Sequence, residues 1–149
     1  MHKSSDTERV GSNELLCTDH AVPVGASPQL KFEEKVGDMV EVTFHAYPDG
    51  RMGMRVRGHA GFGQKGQDIV CAAVSILTLT AARETERMYE NGFLRCLPET
   101  VLREGFASVT VCPRPRFRQQ ARAAFGVVHT GMRLLAQSYP QHVRLKGRI

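Results

Sequence analysis

Two short segments of the chain alternate apolar and polar positions. In MVEVTF (39–44) every second residue is apolar, and MGMRVRG (52–58) resumes the same alternation after the turn residues Pro48 and Gly50. A period of two is typical of half-buried strands. Proline fixes one backbone angle and glycine tolerates positive φ, so the intervening YPDGR segment favours a tight turn. The pattern predicts a β-hairpin.

Two longer stretches repeat their apolar residues at helical spacing. The first begins after Asp68, a good N-cap residue, and runs to the stop signal Asn91-Gly92. Its predicted inward positions are Ile69, Val70, Ala73, Val74, Leu77 and Ala81. The second stretch covers roughly residues 119–138 and ends before Pro140. It places four apolar residues on one face, namely Phe125, Val128, Met132 and Leu135. The spacing therefore predicts two long helices.

The remaining strands are predicted from shorter apolar segments. FLRCL (93–97) and ASVTVC (107–112) indicate two strands separated by PETVLREG, and HVRLK (142–146) indicates a closing strand. The prolines of PRPRFRQQ (113–120) favour an extended loop. The resulting order, β-β-α-β-β-α-β, predicts an α+β fold with a mostly antiparallel sheet and two long helices packed on it.

The composition predicts one folded domain. The chain has 149 residues, of which 42% are hydrophobic, enough for a single core. Residues 1–38 are polar and aperiodic, so we expect a flexible N-terminal leader followed by a domain at 39–149. The longest apolar run is too short to cross a membrane, and no secretory signal is visible. A cytoplasmic location is therefore expected.

Cysteine spacing and charge narrow the function classes. The cysteines at 17, 71, 96 and 112 form no C-x-x-C pair, which argues against a disulfide framework and a zinc site. We predict no metal and no cofactor. The net charge of +5 is uneven, since no acidic residue follows Pro113. The basic residues there are Arg114, Arg116, Arg118, Arg122, Arg133, Arg144, Lys146 and Arg148. This pattern fits a solvated surface or an RNA-binding or ribosome-associated module.

The glycine-rich loop resembles the outline of a dinucleotide cradle. Gly61, Gly63 and Gly66 spell G-x-G-x-x-G between a predicted strand and a predicted helix. That cradle needs an acidic residue near the end of the next strand, whereas Glu84 falls inside the helix. The carboxylate of Asp68 would also repel a phosphate at the helix N-terminus. The sequence therefore disfavours a nucleotide site.

The same stretch has the components of a nucleophilic thiol. Cys71 falls in the first helical turn after Asp68, where unpaired N–H groups and the helix dipole favour a thiolate. His59 lies across a flexible loop that contains Gly58, Gly61, Gly63 and Gly66, and the loop can return the imidazole to the sulfur. In a catalytic interpretation, Cys71 is the nucleophile and His59 the general base and then acid. The helix N–H groups could bind the developing oxyanion.

Two other interpretations of Cys71 stay open from the residues alone. A cysteine in IVCAAVS is commonly a small buried core residue. A reversible redox sensor would also use an exposed, ionised thiol. Cys17, Cys96 and Cys112 show no catalytic context, and His45 and His129 are interpreted as structural.

The segment GHAGFGQKGQDIVCAAVS (58–75) closely resembles the signature of the ribosomal-processing cysteine protease family, Prp. In that family the G-H-A motif carries the catalytic histidine, which implies His59. The D-I-V-C-A-A-V-S motif carries the nucleophile, which implies Cys71. Asp68 and Ser75 match as supporting residues, and Asp68 is either a helix cap or a partner that orients His59. The resemblance runs from Met39 nearly to the end of the chain.

This resemblance implies a bacterial endopeptidase that removes a short N-terminal extension from a large-subunit ribosomal protein. Members of the family cut after an aromatic residue, typically Phe, with Ala following. Family members look like homodimers, and some relatives process phage structural proteins instead. The expected partners are thus a ribosomal protein precursor, a second copy of the chain and the ribosome or its RNA.

Overall fold

The computed structural model describes residues 39–149, and the predicted leader at 1–38 lies outside the described residues. The elements follow the predicted order β-β-α-β-β-α-β, so the α+β fold is confirmed. Their bounds are β1 Val40–Ala46, β2 Met52–Arg57, α1 Ile69–Glu90, β3 Glu99–Arg103, β4 Phe106–Val111, a short 3-10 turn at Pro115–Phe117, α2 Arg118–Ser138 and β5 Val143–Lys146.

The described strands form one five-stranded sheet in the order β3-β4-β2-β1-β5. Neighbouring strands are antiparallel except for β1 and β5, which pair in parallel with Val40 opposite Val143. The parallel pair follows from the connection, because the chain reaches β5 through α2 rather than through a hairpin. The mostly antiparallel sheet is therefore confirmed.

The alternation along β1 and β2 separates a buried face of the sheet from an open one. Val42 and Phe44 lie on the buried face with Met54, and both helices supply the opposing side chains, such as Phe125. Full burial of one such side chain stabilises the fold by about 1.5–3 kcal/mol. The alternate positions, including Arg55, point to the open face of the sheet.

Helix α1 begins and ends where the sequence predicted, but its buried stripe differs from the prediction. The buried positions are Val70, Val74, Thr78, Ala81, Ala82, Thr85 and Met88. Ile69 was predicted to face inward and is 57% exposed, and Ile76 is 61% exposed. The two buried threonines donate their hydroxyls to backbone carbonyls one turn earlier, so their burial leaves no unsatisfied donor. Hydroxyl-to-backbone bonding thus lets polar residues occupy the inward stripe.

The prediction that FLRCL forms a strand is wrong. Strand β3 lies instead within PETVLREG, the segment that was interpreted as a connection. Leu94 is buried and makes one isolated bridge to Pro113, while Phe93 stacks on Phe117 at 4.3 Å. These apolar side chains fill the end of the core. Every residue of β3 is exposed, because β3 is an edge strand, so it shows no alternating pattern.

The segment after β4 is also more ordered than the extended loop that its prolines indicated. Pro115 starts a 3-10 turn that leads directly into α2 at Arg118. Proline suits the first position of a helical turn, because its missing N–H would have no partner there. Within residues 39–149, neither long helix has the length and hydropathy needed to cross a membrane.

Candidate active site

The end of β2 places His59 beside the turn between β3 and β4. Gly58 has a φ of +89°, and its N–H donates to the carbonyl of Gly105 at 2.9 Å. The exposed His59 ring follows immediately, and a Cβ built on Gly105 would lie 3.0 Å from its Nε2 atom. Glycine at position 105 therefore leaves the space that the imidazole occupies.

The first turn of α1 places Cys71 on the same cleft. Its side chain is half-buried, and Sγ accepts a hydrogen bond from the N–H of Ala60 at 3.2 Å. His59 and Cys71 both line two adjoining cavities, together with Ser75 and Glu104. The structure thus brings the predicted nucleophile and the predicted base to one site.

The thiol of Cys71 is not predisposed to ionise in this arrangement. Burial raises the pKa of Cys71 above its ordinary value, the Ala60 N–H opposes that shift, and the nearby Asp68 carboxylate adds to it. The helix N-terminus was expected to favour a thiolate, and the structure shows the opposite direction. Ionisation of Cys71 at neutral pH therefore requires a base that takes its proton.

Asp68 is the N-cap of α1 and also anchors the glycine loop. Oδ1 accepts from the N–H groups of Val70 and Cys71 at 2.9 and 2.8 Å. Oδ2 accepts from Phe62 at 3.0 Å and from Gly63 at 3.4 Å. Burial alone would raise the pKa of Asp68, and these backbone donors outweigh it, so its pKa lies below the ordinary value. The carboxylate organises the backbone on both sides of the thiol.

The helix donors expected to bind an oxyanion are already engaged. The N–H groups of Val70 and Cys71 donate to Asp68, and the N–H of Ala72 donates to the Asp68 carbonyl. An oxyanion could use them only by displacing the cap. Ser75 lies one turn beyond Cys71, is exposed and lines both cavities. Its hydroxyl is thus a second hydrogen-bonding group on the cleft.

The glycine loop is tied down at several points. Phe62 packs edge-on against Tyr139 and His142, with ring centroids 5.2 and 5.3 Å apart. Lys65 forms an ion pair with Glu104 at 2.6 Å, and both residues line the cavity under the loop. Gly61 and Gly66 adopt positive φ angles, whereas Gly63 does not. Flexibility of this loop stays a prediction.

The sequence interpretation missed these contacts to the loop. Lys65 and Glu104 are distant in sequence, and each is an ordinary surface charge when considered alone. His142 comes from the connection between α2 and β5 and hydrogen-bonds to Ala60. Only the positions of YPQHV and of GHA within the fold bring them together, so no local pattern signals the contact.

The two cavities differ in character. The first has a volume of about 370 Å³, lies between α1 and the β3–β4 hairpin, and has apolar walls that include Val74, Leu79 and Leu102. The second, of about 460 Å³, lies under the glycine loop and is lined by small and polar residues. Cys71 lines both, so a peptide crossing the thiol would place neighbouring side chains in different surroundings. No group of three or more potential metal ligands occurs among residues 39–149.

Asp68→Asn is expected to destabilise the fold by about 1–2 kcal/mol at neutral pH. The amide oxygen can replace one carboxylate oxygen, but the amide nitrogen then faces another backbone N–H. Because the folded pKa of Asp68 is lowered, its stabilisation is complete above about pH 4 and is lost as the pH falls through the folded pKa.

Urea denaturation of wild type and variant between pH 7 and pH 2 measures this effect. The difference in unfolding free energy should narrow toward low pH. A difference independent of pH would contradict the assigned role of the carboxylate. Glu86→Gln is the control, since Glu86 is an exposed residue of α1 whose ion pair with Arg83 lies on the surface and contributes little to stability.

Comparison with known proteins adds evidence independent of this geometry. The sequence model of the family described as cysteine protease Prp matches residues 39–144. The ribosomal processing cysteine protease Prp of Mycoplasma genitalium is 33% identical over 89 residues, which cover 58% of this chain and 79% of the relative. The region matched by the family model contains the site described above.

Solved structures share the fold. A ribosomal processing protease Prp from S. aureus, in complex with a covalently linked product peptide, matches with a TM-score of 0.58 at 19% identity and covers 72% of this chain and 98% of its own. SMU.848 from Streptococcus mutans matches with a TM-score of 0.53 at 25% identity, covering 72% of this chain and 92% of its own. With a family match that spans most of the sequence, this chain belongs to the cysteine protease Prp family.

Proposed function

We propose that this chain is an endopeptidase in which Cys71 is the nucleophile and His59 the general base and acid. The observation that carries the proposal is that both residues line the same two cavities, with the thiol where the cavities meet. The thiol is half-buried, yet it lines open space, so a peptide carbonyl can reach the sulfur.

The raised pKa of Cys71 defines the first chemical step. The imidazole of His59 takes the thiol proton as sulfur attacks the peptide carbonyl carbon, so that charge develops on the carbonyl oxygen. The tetrahedral intermediate then expels the amine, which receives that proton from His59, and a thioester remains on Cys71. Water attacks the thioester with His59 as base, releasing the acid and the thiol. Ser75 supplies a hydroxyl on the same side of the cleft.

The apolar cavity supports cleavage after an aromatic residue. Its walls of valine and leucine side chains favour an apolar group, and a volume of about 370 Å³ admits a phenyl ring. The cavity under the loop is larger, about 460 Å³, and has no comparable apolar wall, so a small following residue such as Ala is proposed from the family resemblance and not from the size of this cavity. The proposed cleavage site is thus Phe-Ala.

The proposed substrate is the N-terminal extension of a bacterial large-subunit ribosomal protein. The proteins named above from Mycoplasma genitalium and S. aureus are described as ribosomal processing proteases, and another S. aureus structure contains a substrate peptide. Processing of a phage structural protein is the alternative substrate, and it would use the same site. A cytoplasmic location forms part of this proposal.

A matched pair of peptides tests the proposed specificity. A peptide with Phe-Ala at its centre should be cleaved between these residues, with a kcat/KM about 10- to 100-fold above that of the same peptide with Ala-Ala. The difference in kcat/KM arises because the Phe side chain fills the apolar cavity and the Ala side chain does not. Equal rates for the two peptides, or cleavage elsewhere, would contradict the assignment of the cavity. Mass spectrometry of the products identifies the bond.

We also propose that the chain forms a homodimer through the outward sides of its helices. Ile76 of α1 and Val127 and Leu134 of α2 are large apolar side chains that are 61%, 73% and 58% exposed. A second copy would cover such residues. Sedimentation equilibrium should give twice the monomer mass.

Contact with ribosomal RNA stays a prediction. The basic residues of the last third of the chain are distributed over separate surfaces: Arg116 stacks on Phe117, whereas Arg144 and Lys146 lie on the open face of the sheet. Lys146 is already paired with Glu41 at 2.5 Å. An RNA contact through these residues would weaken steeply with salt and would not depend on Cys71.

A further inference from the structure

Ala60 is held from both sides by side chains that are distant in sequence. Its N–H donates to Sγ of Cys71 at 3.2 Å, and its carbonyl oxygen lies 2.6 Å from Nδ1 of His142. The residue is fully buried and directly follows His59. The position of this one residue therefore affects both the thiol and the neighbouring imidazole.

His142 is itself fixed in place by the fold. Its N–H donates to the carbonyl of Tyr139 at 2.9 Å, and its carbonyl accepts from the N–H of Val40 at 2.8 Å. The ring of Phe62 packs edge-on against the imidazole at 5.3 Å. The end of α2 and the start of β1 thus hold the backbone of His142, while the glycine loop packs against its ring.

The chemistry of the contact determines which nitrogen carries the proton. A backbone carbonyl only accepts hydrogen bonds, so Nδ1 of His142 must donate. Neutral His142 must therefore be the Nδ1–H tautomer, with Nε2 unprotonated. In this state the ring holds the Ala60 carbonyl, and His142 lines neither of the two cavities.

We propose that His142 is a positioning residue, whose Nδ1–H holds Ala60 so that the Ala60 N–H stays directed at the sulfur of Cys71. This inference rests on the proposed function of Cys71 as nucleophile. A hydrogen bond to an ionised acceptor is roughly twice as strong as one to a neutral acceptor, so this N–H stabilises the thiolate more than the thiol. The contact with His142 also holds the backbone next to His59.

Apart from the Ala60 N–H, few groups near Cys71 stabilise its thiolate. Burial and Asp68 raise the pKa of Cys71, and the Ala60 N–H acts in the opposite direction. The N–H of Cys71 itself is engaged by Asp68. If Ala60 moves, burial and the carboxylate act unopposed, and the thiolate becomes harder to form.

Two variants and a matched control test the role of His142. His142→Ala removes the donor, and His142→Asn places an amide N–H near the position of Nδ1. His129→Ala is the control, because His129 is another half-buried histidine that packs edge-on against Phe44 at 4.9 Å, on the side of β1 that faces α2. The pH dependence of Cys71 alkylation by iodoacetamide, mapped by mass spectrometry, follows the thiolate without any peptide substrate.

His142→Ala should slow alkylation of Cys71 at pH 7 about tenfold and shift its pH profile to higher pH. On a Phe-Ala peptide kcat should fall by about the same factor, with a smaller change in KM. His142→Asn should recover most of both losses, and His129→Ala should change neither. An unchanged alkylation profile in His142→Ala, or an Asn variant as impaired as the Ala variant, would overturn the proposal.

The wild-type protein supplies a test that does not depend on the folding of a variant. Long-range ¹H–¹⁵N correlation spectra distinguish the tautomers of histidine, and His142 should be protonated at Nδ1 when neutral. An unprotonated Nδ1 in neutral His142 would overturn the proposal. The alkylation profiles also separate this inference from the proposed function. If no peptide is cleaved but His142→Ala shifts the thiol profile, only the peptidase assignment fails.

Discussion

Cys71→Ala is expected to abolish peptide cleavage, with a loss in kcat/KM of about 10⁴-fold or more. No other group can form the thioester, and loss of a nucleophile in proteases of this type removes most of the rate enhancement. The fold should be retained, because alanine is a good helix former and the side chain is only half-buried. Stability should change by no more than about 1 kcal/mol.

Cys96→Ala is the matched control for this experiment. Cys96 is also half-buried but lies away from the cleft, in the segment between α1 and β3. The Cys96→Ala variant should cleave the peptide at the wild-type rate. Cleavage by Cys71→Ala at more than a few per cent of the wild-type rate, with a normal thermal transition, would refute Cys71 as the nucleophile.

His59→Gln is expected to have the next largest effect, a loss in kcat of about 10³-fold or more. Because burial holds the Cys71 thiol in its protonated form, sulfur depends on the imidazole to remove its proton. Glutamine occupies similar space and retains hydrogen bonding but takes up no proton near neutral pH. The ring is exposed, so the substitution should have little effect on stability.

The pH profile separates a base from a merely structural histidine. Residual activity of His59→Gln should rise with pH more steeply than wild-type activity, because hydroxide then ionises the thiol directly. His45→Gln serves as a control on the opposite side of the hairpin, since His45 lies on the open face of the sheet. If His59→Gln keeps the wild-type profile and rate, another group is the base.

Much of the fold could be predicted from the sequence, because alternating burial in β1 and β2 and the capped repeat of α1 are local signals. The edge strand β3 could not be predicted, since its exposed residues have no apolar partner face. FLRCL was predicted to be a strand because it contains several apolar residues. These residues instead pack at the end of the core without forming a strand. Ile69 was predicted to be buried because it is apolar. The sequence does not show that threonines, whose hydroxyls bond to backbone carbonyls, occupy part of the buried stripe of α1.

The site was predicted unevenly for similar reasons. The structure places His59, Cys71 and Ser75 on one cleft, as the motif implies, and assigns Asp68 to the cap of α1. The direction of the thiol pKa could not be predicted, because it depends on burial and on how the cap uses its donors. The contact of His142 with Ala60 comes from the meeting of two connections that only the sheet order brings together.

The central claim is that the sulfur of Cys71 forms a covalent bond to the substrate carbonyl. Acid quenching of a Phe-Ala peptide reaction within its first turnovers, followed by intact-protein mass spectrometry and peptide mapping, tests this claim directly. We expect a mass increase equal to the acyl fragment ending in Phe, mapped to Cys71 and absent from Cys71→Ala. Cleavage that proceeds with the fragment attached to another residue would contradict the account.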